Sequence, residues 1–185
     1  MGEQHKKHNR REHLNDFHLN VAGEYVYDGA LYACQSDDAK QRRSKHAVWG
    51  MAAILTVAVA AGGCIPAPGM QNCFYVLLPY LGEFLGAASV IWALAKLGTD
   101  WSTVREYNYK KSVAVLPVRT AVTAVFSLLG IVCELIFFFV NDHAGQTFFA
   151  LLYVLLKLIA LLSVLVLRAE IMQAEWDKLP KKNNF

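Results

Sequence analysis

The chain has 185 residues, of which 55% are apolar and 18% are charged, and its mean hydropathy is +0.29. This composition excludes a disordered protein and is unusual for a soluble protein of this size. The net charge of +3 does not indicate nucleic-acid binding, because no motif that reads RNA or DNA accompanies the basic residues, so nucleic acid is not an expected partner.

Long apolar runs predict an all-α, polytopic membrane protein with a four-helix transmembrane bundle. Each run is close to the ~20 residues that a helix needs to cross the hydrocarbon core. We place the spans at about 46–64, 74–96, 117–140 and 146–168. The chain is thus divided into an N-terminal segment 1–45, a transmembrane domain 46–168 and an interfacial tail 169–185, of which Ala169 to Leu179 can continue as an interfacial helix.

The distribution of Lys and Arg predicts the orientation of the bundle. Basic residues occur in the N-terminal segment, in the loop between spans two and three, and in the tail, whereas the connections 65–72 and 141–145 contain none. By the positive-inside rule, both termini and the central loop are cytoplasmic. We therefore expect a multi-pass protein of the cell (plasma) membrane, in contact with membrane lipids.

Residues 25–32 read Tyr-Val-Tyr, Asp-Gly, Ala-Leu-Tyr. Asp-Gly between β-prone residues is typical of a two-residue β-hairpin, and an irregular linker is the alternative. Because an isolated hairpin is marginally stable in water, we expect Tyr25, Tyr27 and Tyr32 to rest on the central loop, the lipid surface or a partner protein. The nearby histidines lack a metal-ligand spacing, so no metal or cofactor is expected.

Small residues recur at helical spacing in the first two spans. Span one carries Ala52, Thr56 and Ala60. Span two carries Gly82 and Gly86. Small-xxx-small spacing allows close approach of helices in membranes. We expect these faces to pack against another membrane protein or a second copy of this chain.

Three ionisable residues lie within the spans, away from their ends: Glu83, Glu134 and Lys157. From a rise of 1.5 Å per residue, they lie ~14, ~9 and ~17 Å from the outer end of their spans. A charge at this depth costs at least ~2.5–3.5 kcal/mol, so we expect the three to meet inside the bundle. Lys157 can neutralise one acid. Glu134 is the expected partner, because a short connection makes spans three and four antiparallel neighbours.

Cysteines lie on both sides of the predicted membrane. Cys64 and Cys73 bracket a Pro-containing outer connection and are expected to form a disulfide. Cys34 and Cys133 are expected to be free thiols. Four spans with outer cysteines are similar to the layout of disulfide-forming membrane oxidoreductases of the vitamin K epoxide reductase type. Those proteins carry a CxxC pair, which is absent from this sequence.

No complete catalytic signature is present. The sequence contains no P-loop, HExxH or GxSxG motif, and the adjacent Asp142 and His143 have no nucleophile beside them. We therefore expect a non-enzymatic membrane subunit or scaffold that packs with partner helices. A small transporter or channel component that uses the Glu/Lys layer is the alternative, and a membrane thiol oxidoreductase is the third hypothesis.

Overall fold

Four long helices form most of the protein in a computed structural model that describes residues 17–19, 23, 25–27, 29–141 and 147–179. In chain order the helices are α1 (Asp38–Cys64), α2 (Pro68–Asn72), α3 (Phe74–Leu97), α4 (Glu106–Lys111), α5 (Leu116–Val140) and α6 (Thr147–Gln173). Helices α1, α3, α5 and α6 are each long and apolar enough to cross a membrane. This confirms the predicted four-helix, membrane-type bundle. The segment 1–16, Asp142 and His143 lie outside the described residues.

The helix boundaries follow local chemistry. Helix α1 begins with Asp38 in its first turn, where the helix dipole stabilises an acid. Helix α5 has Pro117 in its first turn, where the missing N–H has no helical partner to lose. Helix α3 ends at Gly98, which has a φ of 72° and donates its N–H to the Leu94 carbonyl at 3.0 Å. Such left-handed ends favour glycine, because it has no Cβ.

The bundle is closed on three of its four sides. Helix α1 packs along α6, α6 along α5, and α5 along α3, whereas α1 and α3 contact each other far less. Buried apolar residues form a cluster at the end where α1 begins: Val48, Val90, Leu94, Leu116 and Leu167. A second cluster lies further along the helices: Leu55, Val59, Ala87, Ala160 and Val164.

The two glycines of α3 bring it close to α5. A Cβ at Gly86 would lie 2.6 Å from Thr123 Oγ1 and 3.3 Å from the Thr123 Cα, and a Cβ at Gly82 would lie 2.5 Å from the ring of Phe126. These glycines therefore serve packing within the bundle. The predicted contact of this face with a partner chain is wrong, because α5 of the same chain occupies it.

Two small antiparallel sheets precede and cap the bundle. Strand β1 (Phe17–Leu19) pairs with β2 (Tyr25–Tyr27). Strand β3 (Leu31–Cys34) lies between β4 (Val104–Arg105) and β5 (Trp176–Lys178). We call the end of the bundle with β3, β4 and β5 the sheet end, and the opposite end, with Pro68–Asn72, the α2 end.

The sheets correct two predictions. The strands on either side of Asp28-Gly29 do not pair with each other, so the predicted hairpin is wrong. The tail is helical as far as Gln173, where α6 ends, and strand β5 follows, so the predicted helix to Leu179 is wrong beyond Gln173. The physical reason is common to both: a three-stranded sheet satisfies more backbone groups than a lone hairpin or a frayed helix end.

At the sheet end, an aromatic cluster joins β3, the central loop with α4, and β5. Tyr32 of β3 stacks on Tyr109 of α4, with ring centroids 4.2 Å apart. Trp101 and Trp176 lie 5.8 Å apart, and Trp101 is only 1% exposed. Tyr32 thus rests on the central loop, which is one of the expected supports, whereas the side chain of Tyr25 is 75% exposed.

We expect Trp101→Ala to destabilise the protein by about 3–5 kcal/mol, because it empties the largest side chain of this buried cluster. Trp92→Ala is the matched control, since Trp92 is 64% exposed on α3. Thermal melts in one detergent compare the two variants with the parent. Equal melting temperatures for both variants would contradict the buried role of Trp101.

Candidate intramembrane polar site

The predicted polar residues lie inside the bundle. The exposed fraction is 0% for Glu83 on α3 and Glu134 on α5, and 2% for Lys157 on α6. This burial is consistent with the cost of turning a charge towards lipid. The three residues do not form one cluster, however: two of them pair and the third lies apart.

Lys157 and Glu83 form an ion pair across the centre of the bundle. Lys157 Nζ contacts Glu83 Oε2, and the Ser127 hydroxyl donates to Glu83 Oε1 at 2.6 Å. The lysine stem passes beside Gly130, where a Cβ would lie 3.6 Å from Lys157 Cε. Both carboxylate oxygens of Glu83 therefore have a hydrogen-bond donor, as a buried charge requires.

Two tyrosine rings flank the ammonium group. Lys157 Nζ lies 4.6 Å from the ring centroid of Tyr80 and 5.1 Å from that of Tyr153. Both distances are within the range of a cation–π interaction. The predicted site did not include either tyrosine. Their spacing is a signal that could have found them, since each lies three or four residues before a charged residue on the same helix face.

The choice of Glu134 as the partner of Lys157 is wrong. Loop length makes α5 and α6 neighbours, as expected, but depth decides the pairing. From the rise of 1.5 Å per residue, Lys157 and Glu83 differ in depth by ~3 Å, whereas Lys157 and Glu134 differ by ~8 Å. The lysine therefore reaches straight across the bundle to α3.

Glu134 lies nearer the α2 end, directly beneath helix α2. The Gly69 N–H donates to Glu134 Oε1 at 3.4 Å, and a Cβ at Gly69 would collide with the Glu134 carboxylate. Glu134 Oε2 has no hydrogen-bond partner among the described residues. The absence of a side chain at Gly69 is what allows α2 to lie on this carboxyl group.

The predicted disulfide is not formed. All four cysteines are among the described residues and are free, and no two of them lie at disulfide distance. Helix α2 lies in the connection between Cys64 and Cys73, and Cys73 donates its N–H to the Gly69 carbonyl at 2.9 Å. The connection is therefore a helical turn seated on Glu134, and not a loop closed by a covalent bond.

A groove of about 350 Å³ lies on the open side of the bundle, between α1 and α3. Its walls include Thr56, Ala60, Phe84, Ala88, Trp92 and Ala95. Of the small residues predicted on span one, Ala52 is buried in the core, whereas Thr56 and Ala60 are exposed. The Thr56 hydroxyl donates to the Ala52 carbonyl at 2.7 Å, so the groove surface is apolar.

Comparisons with protein families, with characterised proteins and with solved structures find no match to this chain. The buried polar residues and the groove between α1 and α3 are therefore the features that bear on function.

We expect Lys157→Met to lower the free energy of unfolding by about 3–5 kcal/mol, because it leaves the buried Glu83 carboxylate without its countercharge. Adding Glu83→Gln to Lys157→Met should recover part of that loss, because the unpaired charge is removed. Thermal melts of the parent, both single variants and the double variant measure this coupling.

Glu134→Gln is the control for this cycle. It removes a buried acid of the same kind that does not contact Lys157, so it should not recover stability in the Lys157→Met background. Coupling of Lys157 to Glu134 in place of Glu83 would contradict the observed pairing.

Proposed function

We propose that this protein is a non-enzymatic subunit of a membrane protein complex, and that the groove between α1 and α3 receives a transmembrane helix of its partner. The observation that carries the proposal is the exposure of Thr56 and Ala60 in an apolar groove. Residues of this size and spacing favour close helix approach, yet none of the described helices covers them.

The shape of the groove supports a helix as its occupant. Along α3 the wall runs from Phe84 to Ala95, which corresponds to about 16 Å of helix axis, or three turns. Within the bundle, the close-approach face of α3 at Gly82 and Gly86 is already used by α5. The face formed by Thr56 and Ala60 is thus the small-residue surface left for contact with another chain.

The buried ion pair supports a structural role in this proposal. Glu83 and Lys157 neutralise each other and are enclosed by Ser127 and by the tyrosine rings. They join α3 to α6, and α6 in turn packs along α1. The two walls of the groove are therefore held in place before a partner binds, which lowers the ordering cost of association.

The two alternative functions, a transporter or channel component and a thiol oxidoreductase, have unequal support. A transporter or channel component is favoured by one observation, the buried Glu134 without a countercharge. A thiol oxidoreductase needs a pair of cysteines that can form a disulfide, and the four cysteines are free and apart. We therefore do not propose it.

We also propose that the sheet end faces the cytoplasm of the cell and the α2 end faces outward. The basic residues of the N-terminal segment, central loop and tail support this orientation, since the described parts of the three segments form the sheet end through β3, β4 and β5. The partner surface predicted from Tyr25, Tyr27 and Tyr32 is then reduced to Tyr25, because Tyr32 stacks on Tyr109 and Tyr27 packs on Phe17.

Site-specific photo-crosslinking tests the groove. A photoreactive residue at Ala60 or Ala88 should give one crosslinked product of fixed mass in native membranes, because both positions line the groove. The same residue at Leu162, which is 61% exposed on α6, is the matched lipid-facing control. Mass spectrometry identifies the crosslinked chain as a different protein or as a second copy of this one.

Ala60→Phe should abolish the product formed from position 88, because a ring at position 60 fills the groove. Val57→Phe is the control on the same helix, since Val57 is 67% exposed and outside the groove. Crosslinks to lipid alone, or equal products at Ala88 and Leu162, would refute the proposal.

Thiol labelling tests the orientation. In single-cysteine variants in intact cells, a membrane-impermeant maleimide should label Cys64, which is exposed at the α2 end. Cys34, at the sheet end, should react only after the membrane is permeabilised. The opposite pattern would reverse the proposed orientation.

A further inference from the structure

Glu134 is a buried acid for which the described residues of the bundle supply no positive charge. Lys157, the buried lysine of the described residues, is paired with Glu83. Glu134 is 0% exposed, and its hydrogen bond from the Gly69 N–H is long, at 3.4 Å. Its Oε2 atom has no partner in the described part of the chain. An ionised carboxylate in these surroundings would be strongly unfavourable.

We propose that Glu134 is a proton-binding site that exchanges its proton with the α2 end of the bundle. In the neutral acid, Oε1 accepts the Gly69 N–H and Oε2 carries the proton. Loss of the proton leaves a carboxylate with the same single donor. The bound proton therefore removes the uncompensated charge without disturbing the contact between Glu134 and α2.

The cavity beside Glu134 favours the neutral form of the acid. Glu134 lines a cavity of about 20 Å³ whose other walls are Leu135, Phe138, Ala150, Leu151 and Val154. All of these walls except Glu134 are apolar side chains, and the surface that lines the cavity is apolar. The cavity therefore offers an ionised carboxylate no hydrogen-bond donor, which favours the neutral acid.

The same surroundings disfavour a metal ion as the ligand. A hard cation needs several oxygen ligands, and the cavity offers the carboxyl group of Glu134 among apolar side chains. On its other side the carboxyl group faces the Gly69 N–H, which is a donor and would repel a cation. A proton needs no further ligand.

On the described elements packed around Glu134, the other titratable groups are phenols, thiols and the Lys157–Glu83 pair. Helix α6 contributes Tyr153 and the paired Lys157. Helix α5 itself contributes Cys133, and the start of α3 contributes Cys73 and Tyr75, whose ring lies 6.4 Å from that of Phe137. Phenols and thiols ordinarily ionise above neutral pH. Helix α2 contains no titratable side chain.

The position of α2 indicates the exchange route. Helix α2 is a single turn of five residues, with Gly69 against Glu134 and with Gln71 and Asn72 exposed. In the other direction, Glu134 is separated from the start of α5 at Leu116 by about 27 Å of helix. The short path to water therefore passes α2.

Labelling with a hydrophobic carbodiimide tests the proposal, because this reagent modifies protonated carboxyl groups in apolar surroundings. In native membranes, peptide mass spectrometry should find the adduct on Glu134 and not on the ionised Glu83. As pH rises above the titration of the acid, labelling should fall about tenfold per pH unit. Absence of labelling on Glu134 at every pH, or equal labelling of Glu83, would overturn the proposal.

Two matched variants localise the reaction. Glu134→Gln should abolish the adduct, and Asp142→Asn, which removes the next acid along the chain, should leave it unchanged. Gly69→Ala adds a methyl group that collides with the carboxyl group and displaces α2, so it should accelerate labelling. An unchanged rate in Gly69→Ala would overturn the exchange route past α2.

A measurement without any reagent provides a second test. A folded state that keeps Glu134 protonated holds this proton more tightly than the unfolded chain, so the resulting stability is present at low pH and is lost as pH rises. The melting temperature of the parent should therefore fall towards alkaline pH, and Glu134→Gln should flatten that slope. Identical slopes in both proteins would contradict proton binding at Glu134.

Discussion

The ion pair between Lys157 and Glu83 is the interaction on which the register of the bundle depends. A buried pair adds little net stability, because desolvation offsets most of the attraction, but separating its partners is strongly unfavourable. Sliding α3 or α6 by one turn, about 5.4 Å, would break the contact and leave an unpaired charge in the apolar interior of the bundle. The pair therefore selects one alignment of otherwise similar apolar helices. Gly130 makes this alignment possible, because its missing side chain leaves room for the lysine stem.

The two ends of the bundle are covered by different structures. At the sheet end, β3, β4 and β5 join segments distant in the chain, and aromatic rings cover the apolar core beneath them. At the α2 end, a single helical turn lies on a buried acid. Each end leaves a buried polar group without a partner among the described residues: the indole N–H of Trp101 at the sheet end and one carboxyl oxygen of Glu134 at the α2 end. Of the two groups, only the Glu134 carboxyl can gain or lose a proton in the accessible pH range. Chemistry that depends on exchange with the surroundings is therefore expected at the α2 end.

Hydropathy and local chemistry were sufficient to predict the helices but not their contacts. The apolar runs predicted the long helices because a membrane span is a local property of sequence, and Pro117 marked the start of α5 for the same reason. The partner of Lys157 depends on packing across the bundle, which adjacency in the chain does not reveal. Strand β5 was missed because Trp176–Lys178 has its partner at Leu31–Cys34, far away in the sequence, and three residues are too few for a periodic signal. The groove likewise depends on which helices leave a gap.

The position of β3 has a consequence for biogenesis. This strand precedes the four long helices, yet its neighbours are β4, which follows α3, and β5, which follows α6. One edge of β3 can therefore pair once α1 and α3 have been synthesised, but the other edge must wait for Trp176–Lys178. The four long helices are thus complete before the sheet closes. A chain truncated after α6 would keep these four helices and still expose one edge of β3, which would let quality control recognise the truncated chain.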